Sequence, residues 1–224
     1  MEFKTNCSEC NAPVTCKMHM LDIPFFKEVI IMASSCDSCG YRTSEVKHGA
    51  AIAPKGKKIT LKVTDSSDLS RDILKSESCS ISIPEIQLDL NPGTLGGKFT
   101  TIEGLLQQVS DQMKQRNPFY IGDSATEEDE LPFARFLHNL DMILKGDMNF
   151  TLIVDDCLGA SYLQNVYAPD PDPNMTIEEY ERTWDQNEDF GLNDLNLTDG
   201  PEGTEEKKDH EEEHEEEHEA TKEA

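Results

Sequence analysis

The chain has 224 residues, 36% of them hydrophobic, and a formal net charge of −25. That length holds one medium domain and a small one, and no apolar run approaches the ~20 residues of a bilayer span. The charge is uneven: residues 1–100 carry twelve basic and twelve acidic side chains, residues 101–224 eight basic and thirty-three acidic. This argues against nucleic acid as the main partner and for a basic protein.

Residues 1–48 contain Cys7, Cys10, Cys36 and Cys39, two C-x-x-C pairs separated by 25 residues. Two such turns supply the four soft ligands of tetrahedral Zn²⁺, and the spacing predicts a zinc ribbon. Gly40 follows the second pair, where a knuckle closes on a backbone twist that glycine accepts. Four thiolates leave no open position, so the one Zn²⁺ is expected to be structural. The cysteines number seven, which is odd, and no secretory leader precedes them. A reducing compartment is expected rather than a disulfide framework. Segments 14–21, 27–33 and 41–46 read as the strands of the ribbon. Its five basic and six acidic residues predict no basic stripe.

Residues 49–198 form the expected second domain. Its first half alternates as short strands over 59–63, 78–83 and 86–90, with turns at Lys55-Gly56 and Asn91-Pro92-Gly93, which predicts a β-sandwich or barrel. A helical hairpin is expected over about 100–146. Its first helix is capped by Thr100 or Thr101, carries Ile102, Leu105, Leu106, Val109 and Met113 on one face, and ends at Asn117-Pro118. Its second carries Phe133, Phe136, Leu137, Leu140, Ile143 and Leu144 and stops at Gly146. The strand 150–154 follows and is expected to pair with 162–166, with a short helix over 175–184. Residues 199–224, thirteen acidic and three basic, predict a disordered acidic tail.

Other candidate chemistry is weaker. Cys16, Cys79 and Cys157 lack C-x-x-C partners and read as core or loop residues. Leu95 to Thr100 is glycine-rich but reads as a tight turn rather than a phosphate loop. His210, His214 and His218 recur every fourth residue in the acidic tail. His19, His48 and His138 begin no H-x-D or H-x-H pattern of an iron oxygenase. Trp184 to Leu195 is expected to cover a groove of its own domain, with docking on a partner as the alternative.

The chain resembles the ZPR-type zinc-finger family. The finger spacing carries the likeness together with IPFFKEV (23–29), KITLKVTDSSDLSRDILKSESC (58–79), LGGKFTTIEGLL (95–106), NPF (117–119), SYLQNVYAP (161–169) and RTWDQNEDFGLNDL (182–195). The resemblance implies a mainly β fold: an N-terminal zinc ribbon, then a double-stranded β-helix domain with a helical hairpin insertion. It implies a protein-binding and chaperone role, with translation elongation factor 1-alpha as partner and a link to receptor tyrosine kinase cytoplasmic regions; the closed four-thiolate site adds the expectation that the chain is not an enzyme. It also implies cytoplasmic and nuclear localisation. The family's proteins carry two tandem modules, and this chain carries one, most like the second. A nucleic-acid-binding zinc ribbon is the alternative function.

Overall fold

The computed structural model describes residues 1–23, 27–49, 52–116 and 127–194. The expected acidic tail, the Asn117-Pro118 helix stop and most of the IPFFKEV segment's turn lie outside them. The chain divides into two units, Met1–Arg182 and the segment from Thr183. No helix of the described residues is long and apolar enough to cross a membrane.

The first unit opens with a four-stranded antiparallel sheet, β1 (Glu2–Asn6), β2 (Pro13–Ile23), β3 (Lys27–Ser35) and β4 (Arg42–His48), paired in that order. Glu2–Asn6 adds a strand beyond the three expected. Each hairpin is long, but many of its apolar side chains are exposed or half-buried, Met20 and Leu21 among them. The buried cluster at the knuckles is Cys7, Val14 and Cys36, with Ala12 packed against it, too little to hold a sheet alone.

The strands that follow are β5 (Gly56–Val63), β6 (Asp72–Lys75), β7 (Cys79–Ile83), β8 (Leu88–Leu90) and β9 (Lys98–Thr101). Helices α1 (Ile102–Arg116) and α2 (Glu127–Leu144) come next, then β10 (Phe150–Asp156), β11 (Tyr162–Leu163) and β12 (Met175–Tyr180). They build a five-stranded sheet, β12-β5-β10-β7-β8, and a three-stranded sheet, β11-β6-β9. Alternation sends Ile59, Leu61 and Val63 of β5 and Phe150, Leu152 and Val154 of β10 into one core. Ile102, Leu105, Leu106 and Val109 of α1 and Leu140 and Ile143 of α2 join that core, so the expected hairpin packs as part of the domain. Thr101 Oγ1 accepts the Gly104 N–H at 3.1 Å and caps α1. At the end of α2 the N–H groups of Gly146 and Asp147 donate to Ile143 and Met142 carbonyls, both at 2.9 Å, closing the helix as expected.

Two expectations are corrected. The segment after β10 does not fold back on it: Tyr162 and Leu163 pair with Leu74 and Ile73 of β6, because the connection crosses to the other sheet. Residues 175–180 are a strand rather than a helix. Met175 to Tyr180 pair with β5 from Leu61 to Gly56, and the edge hydrogen bonds override a sequence that has no buried face of its own.

The same alternation that buries Val154 also buries Asp156, which is fully covered. Its carboxylate accepts hydroxyls from Ser161 (2.6 Å), Ser78 (2.6 Å) and Ser76 (2.7 Å) and the Leu158 N–H (3.0 Å). Burial pushes its pKa up, but these four donors outweigh it and hold the group below the usual carboxylate range. A depressed folded pKa gives stability that is complete above the unfolded value, roughly 3.9, and is lost as pH falls through the lower folded value. Asp156→Asn is therefore expected to cost about 2 kcal/mol at neutral pH, since an amide group would face hydroxyl donors. The gap from wild type should shrink below about pH 4. Urea unfolding of both proteins at neutral and acid pH checks this; an undiminished gap at acid pH counts against it.

The second unit is described from Thr183 to Asp194. Helix α3 (Trp184–Asp189) has Thr183 as its cap: Thr183 Oγ1 accepts the Gln186 N–H at 3.2 Å, and Gln186 Oε1 accepts the Thr183 N–H at 3.1 Å. Trp184, at the start of α3, is 57% exposed.

Candidate metal centre

The two knuckles repeat one backbone design. In the first, the Asn11 N–H donates to the Cys7 carbonyl (2.9 Å) and the Cys7 N–H to that of Ala12 (2.8 Å). In the second, Gly40 donates to Cys36 (2.9 Å) and Cys36 to Tyr41 (2.8 Å). Both turns need left-handed backbone after the second cysteine, and Asn11 (φ 58) and Gly40 (φ 75) supply it. Asparagine is one of the few residues with a side chain that visits this region routinely.

The knuckles bring the Sγ atoms of Cys7, Cys10, Cys36 and Cys39 within 4.8 Å of one another. Cys7 and Cys39 sulfurs are 3.7 Å apart, and Cys10 and Cys36 sulfurs 3.5 Å. Tetrahedral Zn²⁺ with bonds of roughly 2.3 Å requires sulfur separations of about 3.8 Å, so the donor set fits. The electrostatics point the same way. N–H bonds from Cys39 and Ser38 and the Cys10 thiol pull the Cys36 thiol down to about 6, over the opposing effect of burial. The Tyr41 N–H favours the Cys39 thiolate, but its sulfur neighbours and burial push it up to about 12. Four thiols at one point cannot all ionise unaided; a central dication lets them.

The ribbon is seated on the second domain. Val29 and Val46 pack with Leu74, flanked by Ile31 and Tyr162. The Val46 N–H donates to the Gly97 carbonyl at 3.0 Å, and Lys47 meets Glu77 at 3.2 Å. A Cβ on Gly97 would lie 1.9 Å from the Val46 carbonyl oxygen, so glycine is what permits this approach. The glycine-rich stretch from Leu95 is thus a tight turn into β9.

The remaining candidates do not assemble a second centre among the described residues. Cys16, Cys79 and Cys157 are buried. Burial pushes the Cys79 thiol up to about 12 and that of Cys157 to about 11, away from thiolate chemistry. His19 and His138 are exposed, and the cysteine cluster is the one group of possible metal ligands found among the described residues. His210, His214 and His218 lie outside them.

A four-cysteine ribbon seated on a two-sheet β-domain with a helical hairpin defines a zinc-ribbon and jelly-roll protein. Residues 1–54 match the ZPR1 zinc-finger domain and residues 67–192 the ZPR1 jelly-roll domain. The chain belongs to the ZPR1 family. It is 52% identical over 195 residues to the human zinc finger protein ZPR1, covering 87% of this chain and 42% of that one. It is 59% identical over 193 residues to the Schizosaccharomyces pombe zinc finger chaperone zpr1, covering 86% and 42%. An uncharacterized ZPR1-like protein of Methanocaldococcus jannaschii is 29% identical over 161 residues, covering 70% of this chain and 78% of that protein. The chain thus spans less than half the length of the human and yeast relatives.

Proposed function

We propose that this chain is a non-enzymatic, zinc-stabilised protein-interaction and chaperone module, with Cys7, Cys10, Cys36 and Cys39 as the ligands of one structural Zn²⁺. The observation that carries this reading is the closed set of four thiolates in a ribbon seated on the second domain: the metal builds a surface and leaves no position for substrate or water. The S. pombe relative's description as a chaperone supports it. The partner proposed is translation elongation factor 1-alpha, a basic GTPase, met by the strongly acidic second half of the chain. A receptor tyrosine kinase cytoplasmic region is proposed as a second partner, and the cytoplasm and nucleus as the places of action.

The experiment is capture of purified elongation factor 1-alpha by the zinc-loaded full chain, at about 0.1 M and at about 1 M salt, where screening shortens to roughly 3 Å. Capture at low salt that weakens at high salt is expected. Failure at both, or equal capture of an unrelated protein of the same basic charge, counts against the reading.

A further inference from the structure

Taken whole, the ribbon's charges nearly cancel, but strand pairing sorts them. Lys4 faces Thr15 across β1–β2, and Ser35 faces Arg42 across β3–β4. Lys17 and Ala33 are partners, as are Ala33 and Ser44. The period of two places Lys4, Lys17, Arg42 and Ser44 on one face of the sheet. Lys98 joins them from β9, its ammonium donating to the Ser44 carbonyl at 2.9 Å.

The result is an open groove of about 1070 Å³ lined by Lys4, Lys17, Arg42 and Lys98, with Asp37 as the one acidic residue among the described lining. Glu2 faces Lys17 across β1–β2 but does not line the groove. Lys4, Lys17 and Arg42 are exposed. On a chain of net charge −25, four cations gathered opposite a single carboxylate form a local reversal of sign.

We infer that this groove is a docking site for a short, extended acidic peptide of a partner protein. Charge complementarity sets the sign of the occupant: carboxylates meet three ammonium groups and a guanidinium able to grip one of them bidentately. The groove's span sets its length. Three strand spacings are roughly 14 Å, which four or five extended residues cross. Nucleic acid fits less well. Its charge recurs about every 1.7 Å in a duplex, so roughly eight phosphates would lie along 14 Å against four cations. The lining also holds no Phe, Tyr or Trp on which bases could stack. This surface is opposite in sign to the acidic half invoked for a basic client, and it stands or falls independently of that partner.

The test titrates the zinc-loaded full chain into a fluorescein-labelled Glu/Ser peptide of about eight residues, long enough to cross the groove, and reads anisotropy. A Lys/Ser peptide and an oligothymidine of matched charge run in parallel. Saturable binding of the Glu/Ser peptide is expected at about 0.01 M ionic strength, weakening at 0.1 M as the screening length falls from roughly 30 to 10 Å. Lys17→Glu with Arg42→Glu should weaken it about tenfold or more, since two attractions become repulsions. Lys62→Glu with Lys114→Glu, the same charge change at exposed positions away from the groove, should change it less than about twofold, within the range of an exposed charge pair. If the first pair fails to retain zinc, Lys4→Gln with Lys98→Gln replaces it and should weaken binding in the same direction. Equal loss in both charge-reversed proteins, absence of saturable peptide binding, or tighter binding of the oligothymidine overturns the inference. So does a dimer of the wild-type chain abolished by Lys17→Glu with Arg42→Glu, which would make a second copy the occupant.

Discussion

A Cys36→Ser chain is expected to lose its zinc and the fold of the ribbon while keeping the second domain folded. Little besides the metal holds β1 to β4 together. Near the knuckles the buried apolar residues other than cysteine reduce to Val14, with half-buried Ala12 against it. Val29 and Val46 bury themselves against Leu74 of the neighbouring domain rather than against each other's sheet alone. Metal coordination in ribbons of this size supplies an apparent 10–16 kcal/mol, well above what those contacts offer. A serine oxygen replaces a thiolate whose pKa is already drawn down to about 6 by the Cys39 and Ser38 N–H groups, so the substitution removes a ligand poised to ionise. The second domain has its own core of two sheets and two helices and needs none of this. Zinc analysis by mass spectrometry, together with amide NMR, separates the two regions. Capture of elongation factor 1-alpha by the variant reads whether the ribbon surface takes part. A metal-free Cys36→Ser protein with native ribbon resonances would show that the sheet holds itself together without the ion.

The metal centre was legible because ligand chemistry demands fixed residue types at fixed spacing, and Cys7, Cys10, Cys36 and Cys39 meet that demand in the chain itself. Half of the knuckle design was not. Gly40 advertises left-handed backbone, whereas Asn11 does the same work with a residue common in many other conformations. The helices were legible because α1 and α2 bury one face each, and a 3.6-residue period survives in the sequence.

What failed to show was whatever depends on distant pairing. Met175 to Tyr180 is an edge strand with mostly exposed side chains, so no alternation of burial marks it. It is a strand because β5 offers it hydrogen bonds. Tyr162 and Leu163 follow a tight turn, where the Gly159 N–H donates to the Asp156 carbonyl at 3.0 Å, and a tight turn suggests a hairpin. The two-sheet topology instead sends them to β6. The basic groove was hidden for a related reason. A count over 1–48 averages five basic against six acidic residues, but the register puts Lys4, Lys17 and Arg42 on one side, and Lys98 arrives from outside that range.

The second large effect is expected at Arg71, which nothing in the sequence singles out from other strand-flanking arginines. It is 1% exposed. Its Nε donates to Asp68 Oδ1 at 2.8 Å and its Nη2 meets the same oxygen at 2.7 Å. Its Nη1 donates to the Asp172 carboxylate and, at 3.2 Å, to the Gln164 carbonyl. Burial presses the guanidinium pKa down, and hydrogen bonds to Asp172 and Asp68 more than offset it, holding the pKa above the ordinary value. Both carboxylates have further duties: Asp68 accepts the Thr64 and Asp65 N–H groups at 3.3 Å each, and Asp172 accepts that of Asn174 at 2.8 Å. The arginine therefore ties the start of β6 to the loop that leads into β12. Arg71→Met fits the volume but leaves two buried carboxylates without a cation, and breaking a buried pair in this way costs about 3–5 kcal/mol. Arg71→Lys should fall between, because one compact ammonium cannot span both acids as the planar fork does. Urea unfolding should show a lower midpoint with an unchanged slope, and hydrogen exchange should rise first at Gln164 and Asn174, where the loop is released. A loss under about 1 kcal/mol, the scale of an exposed ion pair, would mean that water reaches the two acids and that the arginine is not what holds the loop.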